Sequence, residues 1–161
     1  MSGTHLILIF FAFGPLITLG ACYVNTGTLS PEAFALGFPQ GFLITGVIWI
    51  NQFPDYEADK KVGKKNLVVR LGPGISRYLY CLIMILSFIS VILLISTMGT
   101  SYLIMIAFIS FPLTYRAMKT TLSGYLSHEA LIPAQALTIQ TVVAQGLLIS
   151  IGLCLSRFIH V

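Results

Sequence analysis

The sequence predicts an all-α polytopic membrane bundle with about five transmembrane helices, and three observations carry that prediction. Of its 161 residues, 57% are hydrophobic and only 9% charged, against ~25% charged in a typical soluble domain. The apolar residues form long runs between short polar connections, room enough for about five spans of ~20 residues each. The charges cluster between the runs: residues 52–77 hold six of the nine basic and three of the five acidic side chains.

The first span runs from about His5 to Val24, and Gly14-Pro15 should kink it, which membrane helices tolerate where neighbours satisfy the freed carbonyl. Ser30-Pro31-Glu32 then opens a helix with a hydroxyl cap, a proline at the first position and an acid in the first turn. The second span, about Glu32 to Ile50, contains Gly37, Pro39, Gly41 and Gly46, small and kinking residues that mark close helix packing. A third span covers about Arg77 to Met98, and the short turn Gly99-Thr100 makes it a hairpin with a fourth, about Ser101 to Tyr115 with room to extend toward Met118, ended by Arg116 and Lys119. The polar segment Thr120 to Glu129 should lie along the interface. Leu131 to Ser156 is the fifth span, with Pro133 near its start.

Composition narrows the function. The basic excess sits in inter-span loops, where the cytoplasmic bias toward Lys and Arg accounts for it without nucleic acid. Cys22, Cys81 and Cys154 are odd in number and set in apolar runs, so they read as buried small hydrophobes. His5, His128 and His160 are scattered, with no metal-ligand spacing. The N-terminus lacks a basic n-region, so no cleavable signal is expected. Placing residues 52–77 in the cytoplasm returns Arg116 and Lys119 to the same side, leaving only Arg157 against the charge rule.

The stretch NQFPDYEADKKVGKKNLVVRLG, Asn51 to Gly72, carries the chemistry. A short helix started by Pro54 would place Asp55 and Asp59 on one face, four residues apart, with Glu57 pointing elsewhere. Two carboxylates so spaced can hold Mg2+ while water and phosphate fill its other positions. Lys60, Lys61, Lys64 and Lys65 follow, with Gly63 loosening the backbone between them. Ammonium groups beside a carboxylate-bound cation suit a diphosphate. The plainer reading is a solvated loop laced with ion pairs one helical turn apart. Arg77 and Arg116 read as interfacial anchors, and Trp49 with the tyrosines near span ends as belt residues.

This stretch resembles the second aspartate-rich motif of the UbiA-type intramembrane prenyltransferases. The nearest branch is the one that prenylates 1,4-dihydroxy-2-naphthoate in menaquinone synthesis. Asn51, Asp55, Asp59, Gly63, Lys64, Leu67, Val69, Leu71 and Gly72 fall in register with that motif, and FGPLITLGACYVNTG, Phe13 to Gly27, resembles the span preceding it. The resemblance implies that Asp55 and Asp59 bind Mg2+ bridged to an allylic polyprenyl diphosphate. It implies further that Asn51 lines the site and that Lys64, together with Lys60 and Lys65, binds the diphosphate. Departing diphosphate would leave an allylic carbocation for an electron-rich aromatic acceptor, in an oily pocket that excludes water. The family fold has nine transmembrane helices and two such motifs. Outside residues 52–77 the only acids are Glu32 and Glu129. Residues 1–161 therefore resemble helices five to nine, the C-terminal portion of a UbiA-like domain, with a missing N-terminal half carrying the first motif as the expected partner. A natural half, a mis-started gene or a truncation would all give this pattern.

Two other functions compete. A non-catalytic polytopic subunit or assembly factor could use the basic loop to hold anionic lipid. A transporter half would favour an ionisable residue in mid-span, and none of the span interiors carries a charge. For every reading the protein sits in the bilayer of the cell's inner or plasma membrane with the motif loop cytoplasmic. A Lys61→Cys variant lacking the three native cysteines should therefore resist an impermeant thiol reagent added to intact cells. Ready labelling from outside would reverse the orientation.

Overall fold

The computed structural model describes residues 3–159; residues 1, 2, 160 and 161, His160 among them, lie outside the described residues. Helices account for the fold, and no strand occurs among the described residues. The chain order is α1 (Gly3–Phe13), α2 (Pro15–Thr26), α3 (Pro31–Leu36), α4 (Phe38–Ile50), α5 (Tyr56–Lys61), α6 (Leu67–Leu71), α7 (Pro73–Met98), a 3-10 stretch (Tyr102–Ser110), α8 (Phe111–Gly124) and α9 (His128–Ile159). Among the described residues four helical segments are long and apolar enough to cross a membrane: Thr4–Thr26, Pro31–Ile50, Pro73–Met98 and His128–Ile159. The protein is an all-α polytopic membrane bundle.

The first two spans are each broken where the sequence places glycine beside or near proline, and the breaks dock on each other. Gly14 interrupts the first span, ahead of Pro15, and Gly37 the second, just before Phe38-Pro39. A Cβ on Gly14 would lie 2.5 Å from the Gly37 carbonyl oxygen and 2.6 Å from the Gly41 Cα, and one on Gly41 would lie 2.8 Å from the Phe10 carbonyl. Backbone meets backbone here, which only glycine permits. The rings of Phe10, Phe34, Phe38 and Phe42 pack around the contact. Ser30 caps α3 as expected, accepting the Ala33 N–H at 3.1 Å.

Helix α4 is central, with α1, α7 and α9 all packed on it. Polar pairs hold the last passes together inside the bundle. Tyr80 Oη and Thr138 Oγ1 are 2.6 Å apart, and Ser87 Oγ donates to Gln145 Oε1 at 2.8 Å. All four residues are fully buried. Lipid offers helices no hydrophobic drive to associate, so such bonds and small-residue contacts hold the bundle.

The fourth pass differs from the expected helix ending near Tyr115. It is a 3-10 stretch followed by α8, which continues through Arg116 and Lys119 to Gly124. Pro112, near the start of α8, has no N–H to return to the preceding turn, so the hydrogen-bond register changes there. At ~2.0 and ~1.5 Å per residue the two pieces reach about 39 Å, enough to span a bilayer core of ~30 Å. The 3-10 backbone lies directly on α9: a Cβ on Gly152 would come 2.7 Å from the Leu103 carbonyl oxygen. The interfacial polar segment shrinks accordingly to residues 125–127, and Thr121 is buried within α8. Trp49 is also no belt residue. It is buried, and its Nε1 donates to the Ser76 carbonyl at 3.0 Å. The three cysteines are free, but Cys22 and Cys81 are half-buried and Cys154 exposed rather than fully buried.

Gly14→Ala should destabilise the detergent-solubilised protein by about 1–3 kcal/mol, because the backbone it meets has nowhere to go. Gly20→Ala, whose Cβ meets nothing within 4 Å, should leave the unfolding midpoint unchanged or raise it. Equal midpoints for the two variants would show that the kinks do not dock.

Candidate active site

The motif builds a cleft through two short helices and one reversal. After α4 the chain turns through residues 51–55 and enters α5 at Tyr56, so Asp55 lies just before the helix rather than inside one started by Pro54. The Asp59 N–H donates to the Asp55 carbonyl at 2.8 Å, which separates the two acids by one helical turn. Gly63 adopts a φ of 71°. The Gly63 N–H meets the Lys60 carbonyl at 3.2 Å and the Lys64 N–H meets the Asp59 carbonyl at 2.9 Å, the paired bonds of a Schellman ending. Gly63 therefore fixes the backbone instead of loosening it, and the reversal folds Lys64 back over Asp59. Its ammonium reaches Asp59 Oδ1 at 2.7 Å.

Asn66 completes this arrangement. Its Oδ1 accepts the Val69 N–H at 2.7 Å, capping α6, while its Nδ2 donates to Asp59 Oδ2 at 2.8 Å. Asp59 is 8% exposed and Asn66 3%. A carboxylate so enclosed requires such donors. The Asp59 hydrogen bond, followed by its charge, holds the Lys64 ammonium above its ordinary pKa.

A cleft of about 200 Å³ opens among Ile48, Asn51, Gln52, Asp55, Asp59, Lys64 and Asn66. Asn51, Asp55, Asp59 and Lys64, singled out by sequence, thus meet in one place. Lys60 and Lys65 do not line it. Lys60 extends over the Tyr56 ring, 5.5 Å from its centroid, and Lys65 is exposed. Arg77 also stays away: it donates to the Leu122 carbonyl at 3.0 Å and stacks on Tyr125, 4.2 Å from the ring centroid. Sequence reasoning missed Gln52, Asn66 and Gln135. From α9, Gln135 Nε2 donates to Asn51 Oδ1 at 3.0 Å. Asn66 carried a local signal, an asparagine just ahead of the apolar run Leu67-Val68-Val69. Gln135 carried none, since 84 residues separate it from its partner.

Beside the cleft lies an apolar groove of about 470 Å³, lined by Leu6, Ile7, Phe10, Phe11, Phe42, Thr45, Trp49, Leu67 and Ile83. Leu67 lines the groove and the adjacent Asn66 lines the cleft, so the two meet at the start of α6. Among the described residues no three His, Cys, Asp or Glu side chains converge. The available carboxylates are Asp55, exposed at the cleft, and Asp59. Each Asp59 oxygen has one donor and keeps a free lone pair, a donor set that suits a hard cation also liganded by water and phosphate.

The structure is thus a membrane helix bundle in which a cleft lined by acidic and basic side chains lies near an apolar groove. The chain belongs to the UbiA prenyltransferase family, whose profile matches residues 3–125. It is 28% identical over 148 residues to the 1,4-dihydroxy-2-naphthoate octaprenyltransferase of Bacillus subtilis (strain 168), covering 90% of this chain and 46% of that protein. The Escherichia coli (strain K12) protein of the same name is 39% identical over 79 residues, 48% of this chain and 25% of that one. UbiA prenyltransferase domain-containing protein 1 of Gallus gallus is 28% identical over 101 residues, covering 63% and 29% respectively. The chain thus spans less than half the length of these relatives. No solved structure matches it.

Asp59→Ala should lower unfolding stability by about 1–3 kcal/mol, since the buried Asn66 amide loses its acceptor. Asp55→Ala, at an exposed position with no such partner to strand, should leave stability essentially unchanged. Denaturation of both variants in detergent distinguishes them. A larger loss at Asp55 would contradict the arrangement around Asp59.

Proposed function

We propose that this chain contributes to the transfer of a polyprenyl group from an allylic diphosphate to an aromatic acceptor, 1,4-dihydroxy-2-naphthoate, in menaquinone biosynthesis. The observation that carries the reading is the juxtaposition of the cleft holding Asn51, Asp55, Asp59 and Lys64 with the apolar groove that begins at Leu67. Family membership supports the reaction class, and the names of the bacterial relatives, both 1,4-dihydroxy-2-naphthoate octaprenyltransferases, support the acceptor.

Asp55 and Asp59 would hold Mg2+, which when bound neutralises charge on the diphosphate oxygens. Lys64, charged and already turned into the cleft, binds the diphosphate and stabilises the negative charge that grows on it as the allylic C–O bond breaks. Asn51 accepts from Gln135 through its oxygen and so presents its N–H donors to the same anion. The groove walls, among them Phe10, Phe42 and Trp49, hold the isoprenoid tail and keep water from the allylic cation. The aromatic acceptor then forms the new carbon–carbon bond to the allylic carbon and regains aromaticity by losing the ipso substituent, a proton or, at the carboxylated carbon, CO2, while diphosphate departs. Lys60 and Lys65 act only as distant charges, since neither lines the cleft.

The transfer needs more than the cleft described here. Its two carboxylates come from one motif, and two-metal phosphoryl sites draw ligands from several elements. We propose that a second segment with another aspartate-rich motif, corresponding to the part of the relatives this chain does not cover, completes the enzyme. Membranes containing residues 1–161 alone should yield no prenylated dihydroxynaphthoate from polyprenyl diphosphate and Mg2+, and co-expression with such a segment should restore product. In the assembled enzyme Asp55→Ala or Asp59→Ala should nearly abolish turnover, and Glu57→Ala, outside the cleft, should cost far less. Robust turnover by the 161-residue chain alone, or equal losses at all three acids, would sink this reading.

A further inference from the structure

We infer that Asn66 is a positioning residue: its amide, locked to the turn it caps, sets the orientation of the Asp59 carboxylate as a ligand for a divalent cation. The inference rests on the metal and diphosphate reading of the cleft and adds to it a residue outside the aspartate pair. Asn66 uses both ends of one planar group. Its oxygen is fixed by the Val69 N–H at 2.7 Å, and its nitrogen then points along a single direction, to Asp59 Oδ2 at 2.8 Å.

The two donors that hold Asp59 are unequal. The Lys64 side chain is 60% exposed, and an ammonium on a flexible four-carbon stem is a point charge with freely rotating donors. Exposed ion pairs of this kind hold geometry poorly and are screened by salt. Asn66 is 3% exposed and clamped to backbone. Lys64 therefore supplies charge and Asn66 supplies direction. Hydrogen-bond partners of metal ligands commonly change metal affinity by ~10- to 100-fold when removed, and a carboxylate that must offer one particular lone pair depends on the partner that fixes its plane.

Helix capping alone does not explain the residue. Serine caps as well as asparagine, but its hydroxyl sits on a shorter arm already engaged at the Val69 N–H. Asn66→Ser should thus keep the cap and lose the hold on Asp59. The test is Mn2+ binding, followed by electron paramagnetic resonance on the detergent-purified protein, with thermal unfolding measured without metal. Asn66→Ser should stay folded at the assay temperature, with unfolding lowered no more than in Asp59→Ala because Asp59 Oδ2 loses a donor, yet bind Mn2+ about tenfold more weakly or worse, and Lys64→Met should change the affinity less than Asn66→Ser does. Wild-type affinity in Asn66→Ser, or a greater loss in Lys64→Met, overturns the inference. Should Asn66→Ser not fold, Asn66→Thr, which also caps through a short hydroxyl, carries the test with the same expected loss. A wild-type protein that binds no Mn2+ removes the metal reading of the cleft and this inference together, whereas wild-type binding with an unaffected Asn66→Ser removes this inference alone.

Discussion

Asp59 is a nearly buried carboxylate at the foot of an apolar bundle, and the end of the structure that carries the motif depends on answering its charge. An unpaired carboxylate in that position would be expelled or neutralised. The chain meets the demand within seven residues. The Schellman ending at Gly63 brings Lys64 back over Oδ1, and the cap of α6 places the Asn66 amide on Oδ2. Two elements of regular structure, the end of α5 and the start of α6, are thus tied through one side chain. The same elements join α4 to α7, so the site is part of the connection between two spans rather than a loop hung from it.

Further into the bundle the constraint changes character. Helices in lipid gain nothing by hiding apolar surface from apolar solvent, so contact must come from close backbone approach and from hydrogen bonds. Gly14, Gly37 and Gly41 provide the first where α1–α2 meets α3–α4, and Gly152 does so where α9 meets the 3-10 stretch. Tyr80 with Thr138 and Ser87 with Gln145 provide the second. These contacts fix α4 between α1, α7 and α9, and α4 carries Ile48 toward the cleft and Phe42, Thr45 and Trp49 toward the groove. Residues of one helix thus line both a polar cavity and an apolar one.

Much of this was legible in the sequence because it is written locally. Apolar runs, Gly14-Pro15, the Ser30 cap and the four-residue spacing of Asp55 and Asp59 each declare themselves within a few residues. Asn51, Asp55, Asp59 and Lys64 share the cleft because the motif is short and its folding is local. What stayed hidden depends on partners far along the chain. Trp49 looked like a belt residue because nothing nearby announces the Ser76 carbonyl that receives its N–H. Arg116 and Lys119 looked like a helix end, but charge does not stop a helix, and α8 passes both while its buried face, Thr114, Ala117, Met118 and Thr121, stays in contact with the bundle. Gln135 reaches Asn51 only because α9 returns beside α4. Gly63 was read with the wrong sign: its freedom to take positive φ serves one sharp conformation, not mobility.

The charges that line the cleft also bear on the proposal that its residues need a further segment. Asp55 and Asp59 contribute two negative charges and Lys64 one positive, leaving the lining at −1, a poor receptor for a diphosphate. Lys60, Lys61 and Lys65 raise the potential around the motif, but from exposed positions where salt screens them. On the proposed reading a single divalent cation turns −1 into +1 and makes the cleft attractive to an anion for the first time, so head-group binding and cation binding become one linked event. That linkage favours a carboxylate held in a fixed plane before either ligand arrives, because reorganising it afterwards would draw on the binding energy of both. The local arrangement of Asn66, Asp59 and Lys64 supplies that preorganisation from the single stretch Asp59 to Asn66 and the start of one five-residue helix.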